Sequence, residues 1–446
     1  MRSDGTSLLL LILKYLWMRK LFSLTMLSAI ALWGVCASAR TARPLQWLFE
    51  RADSLNTSLQ ASRLAVESAR SGEAVARNAY LPSVDVSLSL SYNGDGYISD
   101  RNFSNGFKVG IPSFGNNFKL EVSQVIFAGG AISHGVALAE LGTEIATFKA
   151  DKNRNEVRFL IAGDYIELCK LSGQLKVVDA NIDLARQVKE RMEVRAENGV
   201  ALKTDLTRLD LLIENLSYSR IRIESAMQIV SQELCNALKM DTPPAPAEEI
   251  GPFHPEGDWM EMAFENAPAL KLADAAVQMS AHKEKIARAS RLPQIALFAG
   301  EYLDGPIVID IPAIDKNFNY WAVGIGIRYN LANLYKSPKA IRQSHLEWQK
   351  AQAQLDVAKE QMTLSIGAAS TDYRNAFILL DTKMRSVALA QESYDLMCYR
   401  YEEGLVTVTD LLDASSQLLD AQIQEVNARM NIAYNDYKLQ YIAGTI

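Results

Sequence analysis

Between residues 83 and 93 apolar and polar side chains alternate without a break. Val84, Val86, Leu88, Leu90 and Tyr92 face one way; Ser83, Asp85, Ser87, Ser89 and Ser91 face the other. This period of two predicts a strand with one greasy and one wet face, about ten residues long, which is enough to cross a hydrocarbon layer. Residues 119–127 repeat the pattern briefly, with Leu120 and Val122 against Lys119, Glu121 and Ser123. Residues 320–330 repeat it plainly: Trp321, Val323, Ile325, Ile327 and Tyr329 alternate with Ala322, Gly324, Gly326 and Arg328. Residues 294–303 predict a weaker fourth strand, and 94–118 and 304–319 read as loops.

Elsewhere the period changes. Ile366, Tyr373, Phe377, Leu380, Met384, Val387, Tyr394, Met397 and Tyr401 follow in steps of three, four and seven. That is the apolar stripe of a helix packed in coiled-coil fashion. It predicts a helix over 337–403, roughly 100 Å long at 1.5 Å per residue. Gly404 supplies the reversal, Thr409 or Asp410 caps the returning helix, and that helix runs back over 409–441. A second hairpin has arms 131–198 and 204–240 about a tip at Gly199. Single helices over 45–80 and 260–291 end at Leu81-Pro82 and Leu292-Pro293.

These elements fall into two copies of one unit. Arg195-Ala196-Glu197-Asn198-Gly199 aligns with Arg400-Tyr401-Glu402-Glu403-Gly404, and Thr204-Asp205-Leu206 with Thr409-Asp410-Leu411. Each half reads helix, strand, loop, strand, long helix, tip, shorter helix. The halves span 44–240 and 260–446, joined by a proline-rich stretch over 241–259.

Composition changes the picture at three points. Arg19-Lys20, the apolar run to Val35 and Ala37-Ser38-Ala39 predict a signal peptide over 1–39, in standard form if translation starts at Met18. The chain carries a formal net charge of −6, and removal of that basic leader leaves it more acidic. Cys36 lies in the leader after Val35, a poor setting for lipidation, and Cys169, Cys235 and Cys398 read as packed thiols. The histidines, His134, His254, His282 and His345, share no metal-ligand spacing. No cofactor, nucleophile motif or nucleic-acid patch is expected, and so no enzyme. Past the leader no apolar run approaches the roughly 20 residues a spanning helix needs.

Four strands per chain cannot close a barrel, and an open sheet edge has no place in lipid. Three copies would supply twelve strands, within the known range of barrels, and would line the long helices up as a cylinder. Tyr92, Phe118, Phe298, Tyr302, Tyr320, Trp321 and Tyr329, near strand ends, are candidates for interfacial girdles. The architecture expected is therefore mainly α with a small β part: a trimeric helical tunnel continuing a shared twelve-stranded barrel. The rival is an exported coiled-coil interaction protein without a pore, which leaves the alternating strands unexplained.

The residues also carry a resemblance. The run from Gly404 through Asp410 and Asp413 to Ala414, Asn427-Ala428-Arg429, Gly199 to Asp205, Leu81-Pro82 and Ser123 to Gly130 are similar to those of the TolC-like outer-membrane efflux channels. The resemblance covers roughly residues 44–446. It implies a homotrimer in outer-membrane lipid whose periplasmic tunnel meets an adaptor protein and an inner-membrane pump of RND or ABC type. It places a gate at Asp410 and Asp413, an acidic ring whose mutual repulsion would raise their pKa values and favour cations. It places a latch at Tyr401 and Asp205, but Val406 stands where the family has an arginine. It places adaptor docking at the tips, Gly199 and Val200 in one half and Gly404, Leu405 and Val406 in the other.

Overall fold

The computed structural model describes residues 44–446 apart from 198–201, 248–249, 252 and 254–256. The predicted leader and the tip residues Gly199 and Val200 lie outside the described residues.

Four strands form one antiparallel sheet in the order β1 (Ser83–Tyr92), β4 (Phe114–Phe127), β5 (Gln294–Gly305), β6 (Phe318–Arg328). A small hairpin of β2 (Gly96–Ile98) and β3 (Phe107–Val109) lies between β1 and β4. The register puts Val86, Leu120, Glu301 and Trp321 in one transverse row, and Val84, Val122, Ala299 and Val323 in the next. The alternating apolar set thus occupies one face. On it Leu88 is 66% exposed and Val323 71% exposed. Lipid is the solvent that such a face fits, because a soluble protein rarely exposes so large an apolar patch. Glu301 departs from the pattern, half-buried between Leu120 and Trp321 on the apolar face.

The strands are longer than predicted. Residues 114–118 continue β4 and 304–305 continue β5; their Asn and Gly content mimics a loop, while ladder pairing keeps them extended. The girdle expectation needs a correction as well. Tyr92, Phe118 and Trp321 share the apolar face and Tyr329 lies just past β6, but Phe298, Tyr302 and Tyr320 point to the opposite face. Pairing with neighbours, not position near a strand end, decides the side.

Two very long helices continue from the sheet: α3 (Ala131–Glu197, 67 residues) after β4 and α7 (Asn333–Glu402, 70 residues) after β6. Each spans roughly 100 Å at 1.5 Å per residue. Helix α7 starts earlier than predicted and holds Pro338 in its second turn, where one backbone hydrogen bond is forfeited without ending the helix. The return helices are α4 (Lys203–Leu238) and α8 (Val408–Ala443).

The shorter helices are broken where the sequence suggested continuity. Asn56 divides α1 (Leu45–Leu55) from α2 (Thr57–Arg77); its side chain accepts from the N–H groups of Ser58 and Leu59 and caps α2. Ala267 divides α5 (Trp259–Asn266) from α6 (Pro268–Ala289), since Pro268 keeps its predecessor extended while opening the next helix at N1.

The long helices pack side by side in strips. Nearest the sheet the neighbours run α2, α3, α6, α7; further out they run α4, α3, α8, α7. Four helical lines therefore continue four strands. The buried clusters are strung along these contacts, one around Leu48, Tyr165 and Leu234 and another around Met192, Leu209 and Leu411. Among the described residues no helix is long and apolar enough to cross a membrane, so any crossing falls to the strands.

Candidate functional site

The far ends of the two hairpins meet, and the predicted latch residues gather there. Helix α7 ends through Gly404, whose φ of +73° suits a residue without Cβ, and Leu405 N–H donates to the Arg400 carbonyl at 2.8 Å. The next helix is capped by Thr407, not by Thr409 or Asp410. Asp410 N–H donates to Thr407 Oγ1 at 3.3 Å, while the Asp410 carboxylate accepts from Thr407 N–H at 2.8 Å and from its hydroxyl at 2.6 Å. This is a capping box with Asp at its third position. The hydroxyl and amide of Thr407 hold the exposed Asp410 carboxyl below its usual range. Within a chain that is the reverse of the shift expected from ring repulsion.

Asp413 lies one turn on, exposed on the same side, with Gln417 Nε2 donating to it at 2.9 Å. Val408, Leu411 and Ala414 are buried on the other side of that turn. Both carboxylates therefore face away from the helical packing. Leu405, at the turn itself, is 72% exposed, and Val406 is half-buried.

Tyr401 and Asp205 are brought together with an arginine that sequence reasoning left without a role. Arg195, in the last turn of α3, stacks its guanidinium 5.4 Å from the Tyr401 ring centre. It donates to the Tyr401 carbonyl at 3.2 Å and to the Glu402 carbonyl. Those carbonyls lie at the α7 C-terminus, the negative end of the helix dipole, where the Tyr401 carbonyl also accepts Gly404 N–H at 3.0 Å, so a cation is well placed there. Burial pushes the Tyr401 phenol up; Asp205 adds to that shift and Arg195 opposes it. An arginine thus stands beside Tyr401, but it comes from the first half of the repeat and not from position 406. Its visible signal was its alignment with Arg400 just ahead of the second tip.

Around this contact Arg191 pairs with Glu402 at 3.1 Å, Lys189 with Asp210 at 2.6 Å, and Arg208 donates to the Thr409 hydroxyl. Water screens these surface pairs, so they add little to stability. A cavity of 330 Å³ lies between the tips, bordered by Met192, Arg195, Cys398, Tyr401 and Leu411. Cys169 is buried, and Cys235 and Cys398 are half-buried. His134 and His282 touch edge to face at 5.1 Å near the sheet, and His345 approaches Glu284 at 3.3 Å.

Long hairpins, an apolar four-stranded sheet and a polar, charge-laced tip define a protein suited to cross a membrane by strands and to carry long helices on one side of it. The family model for outer membrane efflux proteins matches residues 48–238 and 259–445, and the chain belongs to that family. The outer membrane efflux protein BepC of Brucella suis is 22% identical over 426 residues, covering 94% of this chain and 88% of BepC. The outer membrane protein TolC of Vibrio cholerae is 20% identical over 444 residues, 96% of either chain. The crystal structure of VceC, an outer membrane protein of Vibrio cholerae, superposes with a TM-score of 0.76 at 19% identity, over 90% of this chain and 96% of VceC. The fold is that of outer-membrane channels, and the protein is an outer-membrane protein with its helices in the periplasm.

Proposed function

We propose that three copies of this chain form a passive exit duct. Each contributes four staves to a twelve-stranded barrel and four helical lines to a periplasmic tunnel. Solutes handed over by a periplasmic adaptor and an inner-membrane pump, of RND or ABC type, would leave through it. One observation carries the proposal: an apolar sheet with two open edges, β1 and β6, runs directly into helices long enough to reach across a periplasm. A coiled-coil scaffold without a pore leaves that apolar face without a solvent.

The tip is the gate in this account. Asp410 and Asp413 from three chains would ring the axis, and the capping box keeps Asp410 ionised, so the ring selects cations. Arg195, with Tyr401 and Asp205, is the latch that holds α3 against α7. The exposed Leu405 turn, with the tip at Gly199 and Val200, is the adaptor's docking surface.

The test is reconstitution of the purified trimer in planar bilayers. Discrete cation-selective steps are expected, with selectivity largely lost in Asp410→Asn/Asp413→Asn. The same trimer should capture a periplasmic adaptor, and Leu405→Ser should abolish capture without dissociating the trimer. Unselective current from the wild type, or selectivity untouched in the double variant, would remove these carboxylates from the gate.

A further inference from the structure

The face of the sheet opposite Leu88 and Val323 carries a row of aromatic rings. Tyr302 and Tyr320 stack with centres 4.9 Å apart and planes at 17°, and Phe318 continues the row at 5.2 Å. The rings lie down because the strands beneath them are bare. A Cβ at Gly324 would sit 2.6 Å from Phe298 Cζ, and one at Gly300 would sit 2.6 Å from the Tyr302 hydroxyl. Phe298 and Tyr302 thereby reach over these bare positions.

The other edge of the sheet is unlike it. On β1 the same face holds Ser83, Asp85, Ser87, Ser89 and Ser91, all short. Charge on this face is weighted to acid. Glu121 pairs with Lys119, whose ammonium lies 5.7 Å from the Tyr302 ring centre, leaving Asp85 and Asp304 against Arg328. Asp304 accepts from Asn117 beside the rings. Where the strands end, a recess of 500 Å³ opens among Ser89, Asn117, Asp304, Ile309, Phe318 and Tyr320.

Flat π faces next to excess carboxylate attract one class of solute above others. A planar aromatic ring stacks on Tyr320 and Phe318, and a positive charge on it meets both the ring quadrupole and Asp304. We infer that the β5–β6 wall is a weak stacking site for planar aromatic cations in passage, with Phe318 and Tyr320 as platform and Asp304 as charge partner. The inference rests on this face being the lumen of the proposed barrel. Weak binding is what a duct requires, since a solute must leave as readily as it enters.

The probe is proflavine, a planar aromatic cation, with tetraethylammonium as a non-planar cation of the same charge. Added to the extracellular side of single channels, proflavine should interrupt the current at concentrations where tetraethylammonium does not. Phe318→Ala/Tyr320→Ala should raise the blocking concentration about tenfold, and Tyr320→Phe should leave it unchanged. Proflavine fluorescence titrated against detergent-solubilised trimer reads the same site without conduction, and should show the same loss in the double variant. Protein that gives no steps but binds proflavine through these rings refutes the duct and keeps the site. Equal block, or equal binding, by wild type and double variant overturns the site and leaves the duct standing.

Discussion

Leu88→Lys is expected to remove the protein from the outer membrane, and Ser89→Lys, one residue on, to leave it there. The two residues are neighbours on β1 and point to opposite faces. Leu88 is 66% exposed among apolar side chains from the other strands. A lysine near the midplane of a lipid-facing strand costs about 2–4 kcal/mol, and a three-fold assembly would carry that cost roughly three times. Ser89 lines the recess at the strand ends, where an ammonium keeps its water and finds Asp304 nearby. The readout is the amount of heat-modifiable trimer in outer-membrane fractions. Equal amounts from the two variants would mean that the two faces do not meet different solvents.

Arg195→Ala is expected to raise mean single-channel conductance, with the trimer intact. The alanine removes two hydrogen bonds from a cation to the end carbonyls of α7, together with the stacking on Tyr401. Allowing for solvent at the tip, the loss is about 1–2 kcal/mol in each chain, and every 1.4 kcal/mol is about tenfold in an open–closed equilibrium. Arg195→Lys should fall between, because an ammonium cannot span both carbonyls as a planar fork does. Asp205→Ala should act in the same direction but less, since Asp205 reaches Tyr401 through charge. Unchanged conductance in Arg195→Ala would mean that the contact only caps a helix.

The strands β1 and β6 were legible because one face of each is apolar at every second residue, and no other element tolerates that period. Strand β5 was obscure for the same physical reason. Leu297, Ala299 and Glu301 on one face and Phe298, Gly300 and Tyr302 on the other are equally mixed, so only pairing with β4 and β6 assigns them sides. The aromatic row on the face opposite the apolar set was therefore misplaced as part of a girdle.

The long helices could be read from their stripes, and their tips from Gly404 and its counterpart. The breaks at Asn56 and Ala267 could not, because each interrupts the apolar stripe by a single residue. At the tip, Asp410 was picked out for its charge and, with Thr409, as a candidate cap, while the cap is Thr407; a Thr three residues before an Asp was the signal for the reciprocal bonds. Arg195 acts on main-chain carbonyls, and these leave no mark in a side-chain pattern. Its alignment with Arg400 marked the position, but its partners had to be located in three dimensions.

The central claim is that the open edges β1 and β6 meet between chains. The direct measurement is disulfide formation in protein with Cys169, Cys235 and Cys398 replaced by alanine. Val86→Cys on β1 would be combined in turn with Trp321→Cys, Val323→Cys, Ile325→Cys and Ile327→Cys on β6. Oxidation is predicted to give a ladder of crosslinked dimer and trimer in at least one pairing, and none with either cysteine alone. Monomer in every pairing, from protein that stays soluble without detergent, would contradict a shared barrel.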